Sequence, residues 1–415
     1  MLADSELKYE LSSGEFYRDP YPFFARHRDS EPVFYSQVLG GWILLQYEHI
    51  DEVLRNHEIY SSRGRVSYLL DKLDQETQSR LPLLRSHFSY GLAHSDAPEH
   101  RRLRSLLAQA FTPKFIDGYR PEISEIVNRV IKGLGSEFDL IADVFTPIPA
   151  LVVGKLLGSS EKDIPNLIRW AGAINGLYEK GGMISTEKAL YAEQMLEAIR
   201  EFVLELVNVR RHQSKNGRLN PNTDVISGLV NAESSGDSLS EAELVSTVVT
   251  LFVAGHETTT HLLGNGFFAL FNSPDQFDLY QNRPELAANL VDEMARFDGS
   301  VPRSWRINKV DVEIASQKIP ANSLILPMLA SANRDPKIFE DPESFKIERD
   351  TKRHLAFGKG VHVCLGAPLA RLEGLEIIQA LNRHKPNLTV NANLIDLKWR
   401  EDIALRGLVS LPASS

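Results

Sequence analysis

The single cysteine of this 415-residue chain, Cys364, lies in FGKGVHVCLG (357–366), among three glycines and a histidine. A lone cysteine is most often a buried small hydrophobe. Here, however, the thiol immediately precedes a strongly helical run, APLARLEGLEIIQAL, and Gly358, Gly360 and Gly366 free the backbone around it. Amide groups of a glycine turn and a helix start, aimed at sulfur, favour thiolate over thiol. The glycines also let a flat, bulky partner approach the backbone. A thiolate held in this way is what a haem iron takes as axial ligand, where its electron density favours O–O cleavage.

A second group of reactive types, AGHETT (254–259), stands in a long apolar run. Ala254, Glu257 and Thr258 occupy positions i, i+3 and i+4 and so share a helix face. A mid-helix threonine can bond the carbonyl four residues back, here Ala254, and bend the helix.

The two stretches together resemble the cytochrome P-450 family of haem-thiolate monooxygenases. FGKGVHVCLG is similar to its Phe-x-x-Gly-x-His-x-Cys-x-Gly motif and AGHETT to its acid-alcohol motif. The resemblance implies Cys364 as iron ligand, Phe357 shielding the sulfur, and His362 on a haem propionate, with Gly358 and Gly366 bordering the cofactor. On the oxygen side it implies Ala254 against the haem, Thr258 as the hydroxyl and Glu257 as the proton relay. Glu293-Met-Ala-Arg296 is similar to the family's structural Glu-x-x-Arg. That spacing recurs at Glu15/Arg18, Glu52/Arg55, Glu99/Arg102 and Glu197/Arg200, so chain order alone selects it. His100 and Arg104 share a helix face and, with Arg306, match the family's propionate-binding positions. Pocket-lining positions are expected at Thr250, Val253, Val301, Arg303 and the segment 403–405, including Leu405. Trp305 stands where many relatives carry a small residue, and Arg303 is open to a substrate carboxylate, a propionate or solvent.

These residues need elements to position them. The run 31–60 reads as two short strands about Gly40-Gly41 and then a helix; 61–95 is irregular. Helical periods follow at 97–111, 115–133, 141–157, 161–178 and 187–212. The longest helix is expected from Ser240, where Ser240 and Glu243 match a capping box, to residue 271. It is apolar nearly all round and must be enclosed by other elements. A helix at 284–297, short strands at 305–330, a Pro-rich loop at 335–350, a helix at 366–383 and β-structure at 386–412 complete the pattern. The expected architecture is mainly α with small sheets, one cytochrome P-450 domain over 1–415.

Composition is that of an ordinary globular chain: 43% hydrophobic, 24% charged. A net charge of −9 without a basic run gives no electrostatic support for a nucleic-acid partner. One cysteine permits no intramolecular disulfide and no Cys-cluster metal site. The polar, acidic start of the chain shows no signal peptide or membrane anchor. A cytoplasmic monomer is expected, with haem b (iron protoporphyrin IX). O2 and a hydrophobic small molecule such as a terpenoid, fatty acid or polyketide are the expected substrates, and a ferredoxin or flavodoxin with its reductase the electron source. The alternatives are a peroxide-driven haem-thiolate peroxygenase, and a thiol hydrolase using Cys364 with His362 or His354 as base. Arg101, Arg102, Lys352, Arg353, Lys359 and Arg371 form an expected basic patch on the Cys364 side.

Overall fold

In the computed structural model, which describes residues 11, 13–178, 182–234, 239–402 and 404–415, helices dominate and three small sheets accompany them. The long helix Glu241–Phe271 begins where its sequence signal lies. The Glu243 N–H donates to the Ser240 hydroxyl, and the Ser240 N–H donates back to the Glu243 carboxylate at 2.8 Å. Its 31 residues make it ~46 Å long. Leu244, Val249, Phe252, Leu263 and Leu270 are all buried although they point to different sides of it. The helices Ala287–Asp298, Pro147–Leu156, Pro82–Tyr90 and Ile164–Asn175 surround it. Closest approach needs a missing side chain: a Cβ on Gly266 would sit 2.3 Å from Met294. No described helix is long and apolar enough to cross a membrane.

The five-stranded sheet runs Val33–Ser36, Gly41–Leu44, Leu324–Pro327, Arg306–Asn308, Tyr60–Ser61. Trp42 pairs with Ile325 in a parallel ladder, and Arg306 pairs with Ile325 from the other side, antiparallel. Arg306 is thereby held on a central strand of a sheet that joins the two ends of the sequence.

Several sequence expectations are corrected. The irregular segment 61–95 contains three short helices, Arg65–Leu70, Gln75–Ser79 and Pro82–Tyr90. The start of the last is capped from a distance, Leu83 and Leu84 N–H donating to the Glu193 carboxylate at 2.9 and 2.7 Å, a signal no local pattern contains. The expected helix 115–133 is two, Pro113–Gly118 and Arg120–Lys132, and 141–157 is a π-helical Leu140–Phe145 followed by Pro147–Leu156. Pro121 and Pro147 lack the N–H that would carry one helix through. Helices Val225–Ser234 and Pro274–Asn282 were not expected. Among the described residues the tail is β-structured only at Thr389–Val390 and Pro412–Ser414, plus a bridge between Trp399 and Leu408.

Glu293 and Arg296 are the one instance of their repeated spacing that is a bidentate pair in the interior: both contacts are 2.7 Å and both side chains have 0% exposure. Arg296 also donates to the carbonyls of Asn333, Pro342 and Ser344. Glu293 accepts the Lys346 N–H at 2.9 Å and faces Arg349 at 3.3 Å. The Pro-rich loop, which has no ladder of its own, is tied down through these two side chains. Arg296→Met should therefore destabilise the protein by about 3–5 kcal/mol, because it leaves a buried carboxylate short of its partner. Urea unfolding followed by circular dichroism measures it, and a loss below about 1 kcal/mol, the range of a surface ion pair, would contradict the assignment.

Candidate active site

The Cys364 loop is shaped by one glycine above all. Gly360 has φ +70°, and a Cβ there would meet the Leu54 carbonyl at 2.5 Å. The loop closes with the Cys364 N–H donating to the Phe357 carbonyl at 2.8 Å, just before helix Ala367–His384. Cys364 is exposed, yet burial is the largest influence on its thiol and pushes it up. Both statements hold because the sulfur faces an interior cleft. The Gly366 and Ala367 amides donate to it, and Arg104 and Arg371 add positive charge, all drawing it back down without overcoming burial. The amides thus favour the thiolate, as the sequence implies, and burial opposes them. A metal cation held at this sulfur would add positive charge on the same side as the amides.

Around the cleft the structure gathers residues from distant segments. His100 and Arg104 come from helix Glu99–Ala110, Arg306 from the sheet and His362 from the turn Gly360–His362. The His100 and His362 rings are 4.0 Å apart. Burial, then Arg104, pushes His100 down to about 4, and His100 Nε2 has no partner among the described residues. Burial, then His100, Arg306 and Arg104, pushes His362 to about 2. Burial pushes Arg306 down to about 10, against the pull of Asp96. Asp96 itself is occupied, accepting from the Ser61 hydroxyl at 2.5 Å and the Ser62 N–H at 2.9 Å. Four cationic or protonatable groups against one engaged carboxylate make a receptor for anions. A haem, with two propionates on one edge and an iron wanting a sulfur ligand, fits this donor set.

Across the cleft, Ala254 is exposed in the middle of an otherwise buried helix, so interior space opens on this face. The Thr258 hydroxyl donates to the Ala254 carbonyl at 2.5 Å, the expected back-bond. Glu257 is nearly enclosed: burial raises its carboxyl, Arg400 and an Asn175 hydrogen bond lower it, and Asp402 raises it again. Its Oε2 has no partner among the described residues. Arg400, Asp402 and Asn175 were not found from sequence; nothing in their spacing points at position 257.

Val253, Thr250 and Val301 are half-buried, and Leu405 and Arg303 are buried; Phe357 packs half-buried against the main core. Residue 403, within the expected pocket segment, lies outside the described residues. Three members of the expected basic patch have carboxylate partners: Arg102 pairs with Glu243, Arg371 with Asp292 at 2.6 Å and, at the surface, Lys352 with Asp350 at 3.9 Å.

The cytochrome P-450 family model matches residues 183–382. The chain is 32% identical over 409 residues to 6-deoxyerythronolide B hydroxylase of Saccharopolyspora erythraea, covering 97% of this chain and 98% of that one. It is 32% identical over 422 residues to the polyketide biosynthesis cytochrome P-450 PksS of Bacillus subtilis, covering 99% of both. The chain belongs to the cytochrome P-450 family. The crystal structure of the myxobacterial cytochrome P-450 CYP267B1 with myristic acid superposes with a TM-score of 0.85 at 31% identity, covering 98% of each chain. As a member of the family it is a haem-thiolate monooxygenase, placing one atom of O2 in a hydrophobic organic substrate and the other in water with two electrons from a redox partner. The P-450 relatives support this reading over the peroxide-driven and thiol-hydrolase alternatives.

One buried acid of this P-450 was not expected from sequence. Glu373, nine residues after the cysteine on helix Ala367–His384, is 0% exposed, both its oxygens lack a partner among the described residues, and burial raises its carboxyl well above the usual 4.5. It therefore stays protonated in the folded protein while ionising in the unfolded chain, and stability is lost as pH rises above 4.5 toward the folded value. Each pH unit in that window costs about 1.4 kcal/mol. Glu373→Gln should match the wild type below pH 4.5 and become progressively more stable above it. Denaturant unfolding of both proteins across pH 4–8 tests this, and parallel curves would refute it.

Proposed function

We propose that residues 1–415 form one cytochrome P-450 domain that binds haem b, with Cys364 on the iron and His100, Arg104, Arg306 and His362 on the propionates. The observation that carries this reading is the convergence of two arginines and two neutral histidines, from three distant segments, on the cleft that the Cys364 sulfur faces. Phe357, Gly358 and Gly366 border the sulfur and keep bulk water from it. The haem, when bound, supplies the activation of O2; the remaining roles belong to this chain.

Thr258 holds its hydroxyl on the Ala254 carbonyl, which bends the helix outward and gives a small molecule room beside Ala254. From that position the hydroxyl can turn to donate toward the cleft. Glu257, kept near its protonated form by burial, holds a proton one residue away and recovers it along Arg400 and Asp402, which reach the surface with 32% and 13% side-chain exposure. Thr250, Val253, Val301, Arg303 and Leu405 line the space for the substrate, a medium-sized hydrophobic molecule. The polyketide biosynthesis in the name of PksS and the myristic acid in the CYP267B1 structure support that class.

The electrons come from a ferredoxin or flavodoxin with its reductase, docking at the Cys364 side, where Lys359 and Arg353 face an acidic partner. The protein acts as a cytoplasmic monomer.

Purified protein expressed with haem precursor should be red, and its reduced carbon monoxide complex should show the red-shifted Soret band of thiolate ligation. Cys364→Ser should lose that band; a band that survives would remove the basis of the reading. Thr258→Ala should retain O2 consumption while diverting most of the reducing equivalents to hydrogen peroxide, measured as the ratio of product to NAD(P)H consumed. Unchanged coupling would take Thr258 out of the mechanism.

A further inference from the structure

One row of the long helix Glu241–Phe271 carries polar side chains into the interior on three successive turns. Glu257, His261 and Asn265 stand at i, i+4 and i+8 and are 9%, 4% and 0% exposed. Glu257 Oε2, both ring nitrogens of His261 and Asn265 Oδ1 have no partner among the described residues. The great majority of polar atoms so deeply buried are hydrogen-bonded. Four orphaned atoms along one helix face are tolerable when they can serve one another.

The tail that covers the row has its own polar groups engaged. A Cβ on Gly407 would lie 2.1 Å from His261 Nδ1, so the tail backbone is pressed against the ring. The Gly407 carbonyl accepts the Arg400 N–H at 2.9 Å. Arg406 is taken up by Asp298 at 2.6 Å and by the carbonyls of Tyr17 and Arg18, and Arg400 faces Asp402 at 3.4 Å. His256, one residue before Glu257, belongs to the row of Phe252, their ring centres 5.7 Å apart. Side chains one turn apart on a helix lean along the same face with Cβ atoms ~6 Å apart, so rotation about side-chain torsions brings Glu257, His261 and Asn265 into reach of one another.

The chemistry of the three groups sets the direction of these bonds. The Asn265 amide nitrogen already donates to the Asp298 and Arg406 carbonyls, both at 3.1 Å, and its Oδ1 can only accept. Burial, then Arg400 and His256, pushes His261 down to about 3. A neutral imidazole has one N–H and one bare nitrogen. With the N–H given to Asn265, the bare nitrogen is left for Glu257, which burial keeps near its protonated form and which therefore has an O–H to donate.

We propose that His261 is a positioning residue for the Glu257 proton: its N–H donates to Asn265 Oδ1, which fixes the tautomer, and its bare nitrogen accepts the Glu257 O–H, which holds the carboxyl in one orientation. His261 itself makes and breaks no covalent bond. The proposal rests on the monooxygenase reading and adds to it the group that keeps the acid loaded between turnovers.

The test uses the purified holoenzyme labelled with ring nitrogen-15 histidine, in its reduced carbon monoxide form for NMR. His261, identified by its loss in His261→Gln, should show one protonated and one bare nitrogen in a single tautomer, and Asn265→Leu should let both tautomers appear. NADH-driven O2 uptake is then measured with a plant-type ferredoxin and its reductase in excess, in H2O and in D2O. His261→Leu should slow uptake about tenfold, the effect of a misplaced reacting group, and enlarge the solvent isotope effect. His261→Gln, whose amide still offers an acceptor and a donor, should stay within about twofold of the wild type. Uptake and isotope effect unchanged in His261→Leu would overturn the proposal. So would a His261→Gln as slow as His261→Leu, which would make the ring a titrating carrier, and so would an imidazolium or a mixture of tautomers in the wild type. If a Leu variant fails to fold, His261→Gln and the wild-type spectrum decide. A colourless preparation, or one lacking the thiolate band, would sink the monooxygenase reading, whereas the ring tautomer is read whether or not the protein turns over.

Discussion

Desolvation of polar groups around one cleft is the constraint on which this structure turns. The fold brings together there a desolvated thiol, two histidines driven toward their neutral forms, and Arg306, whose neighbour Asp96 is engaged by Ser61 and Ser62. Such a collection is unfavourable as it stands and becomes favourable when a dianionic, metal-containing ligand enters. The same physics sets the thiol's state: dipoles and guanidiniums prepare the sulfur, and metal ligation completes its ionisation.

The two sides of the cleft are built differently. On the Cys364 side, Glu293 and Arg296 spend nearly every polar atom on one another and on the backbone of the Pro-rich loop, and Asn333 continues the lattice by accepting the Leu355 N–H. A lattice of short, buried, charge-assisted bonds does not adjust by small steps, which suits a loop that must hold one sulfur in place. The opposite side is formed by short helices and by single side chains such as Arg65, Tyr178 and Trp305, whose contacts are mainly aromatic faces. Packing of that kind tolerates changes of shape.

Glu257 joins the two themes. It sits on the long helix, which is rigid and enclosed, but its charge environment comes from Asn175 on one neighbouring helix and from Arg400 and Asp402 in the tail. A carboxyl that burial keeps near neutrality and that a partly exposed ion pair connects to the surface can give up and regain a proton without leaving a bare charge inside.

Local chemistry was legible in the residues themselves. The cysteine loop, the Thr258 back-bond and the Ser240–Glu243 cap depend on contacts three to seven positions apart, so types and spacing suffice to specify them. The apolar run of the central helix likewise demanded enclosure, because a surface helix needs a polar face. What tertiary structure alone decided was every arrangement made by residues far apart: which of five Glu-x-x-Arg spacings is buried, the cap of helix Pro82–Tyr90 by Glu193, and the surroundings of Glu257. Coulombic and desolvation energies depend on distance and burial in space, and the one-dimensional order of residues carries neither.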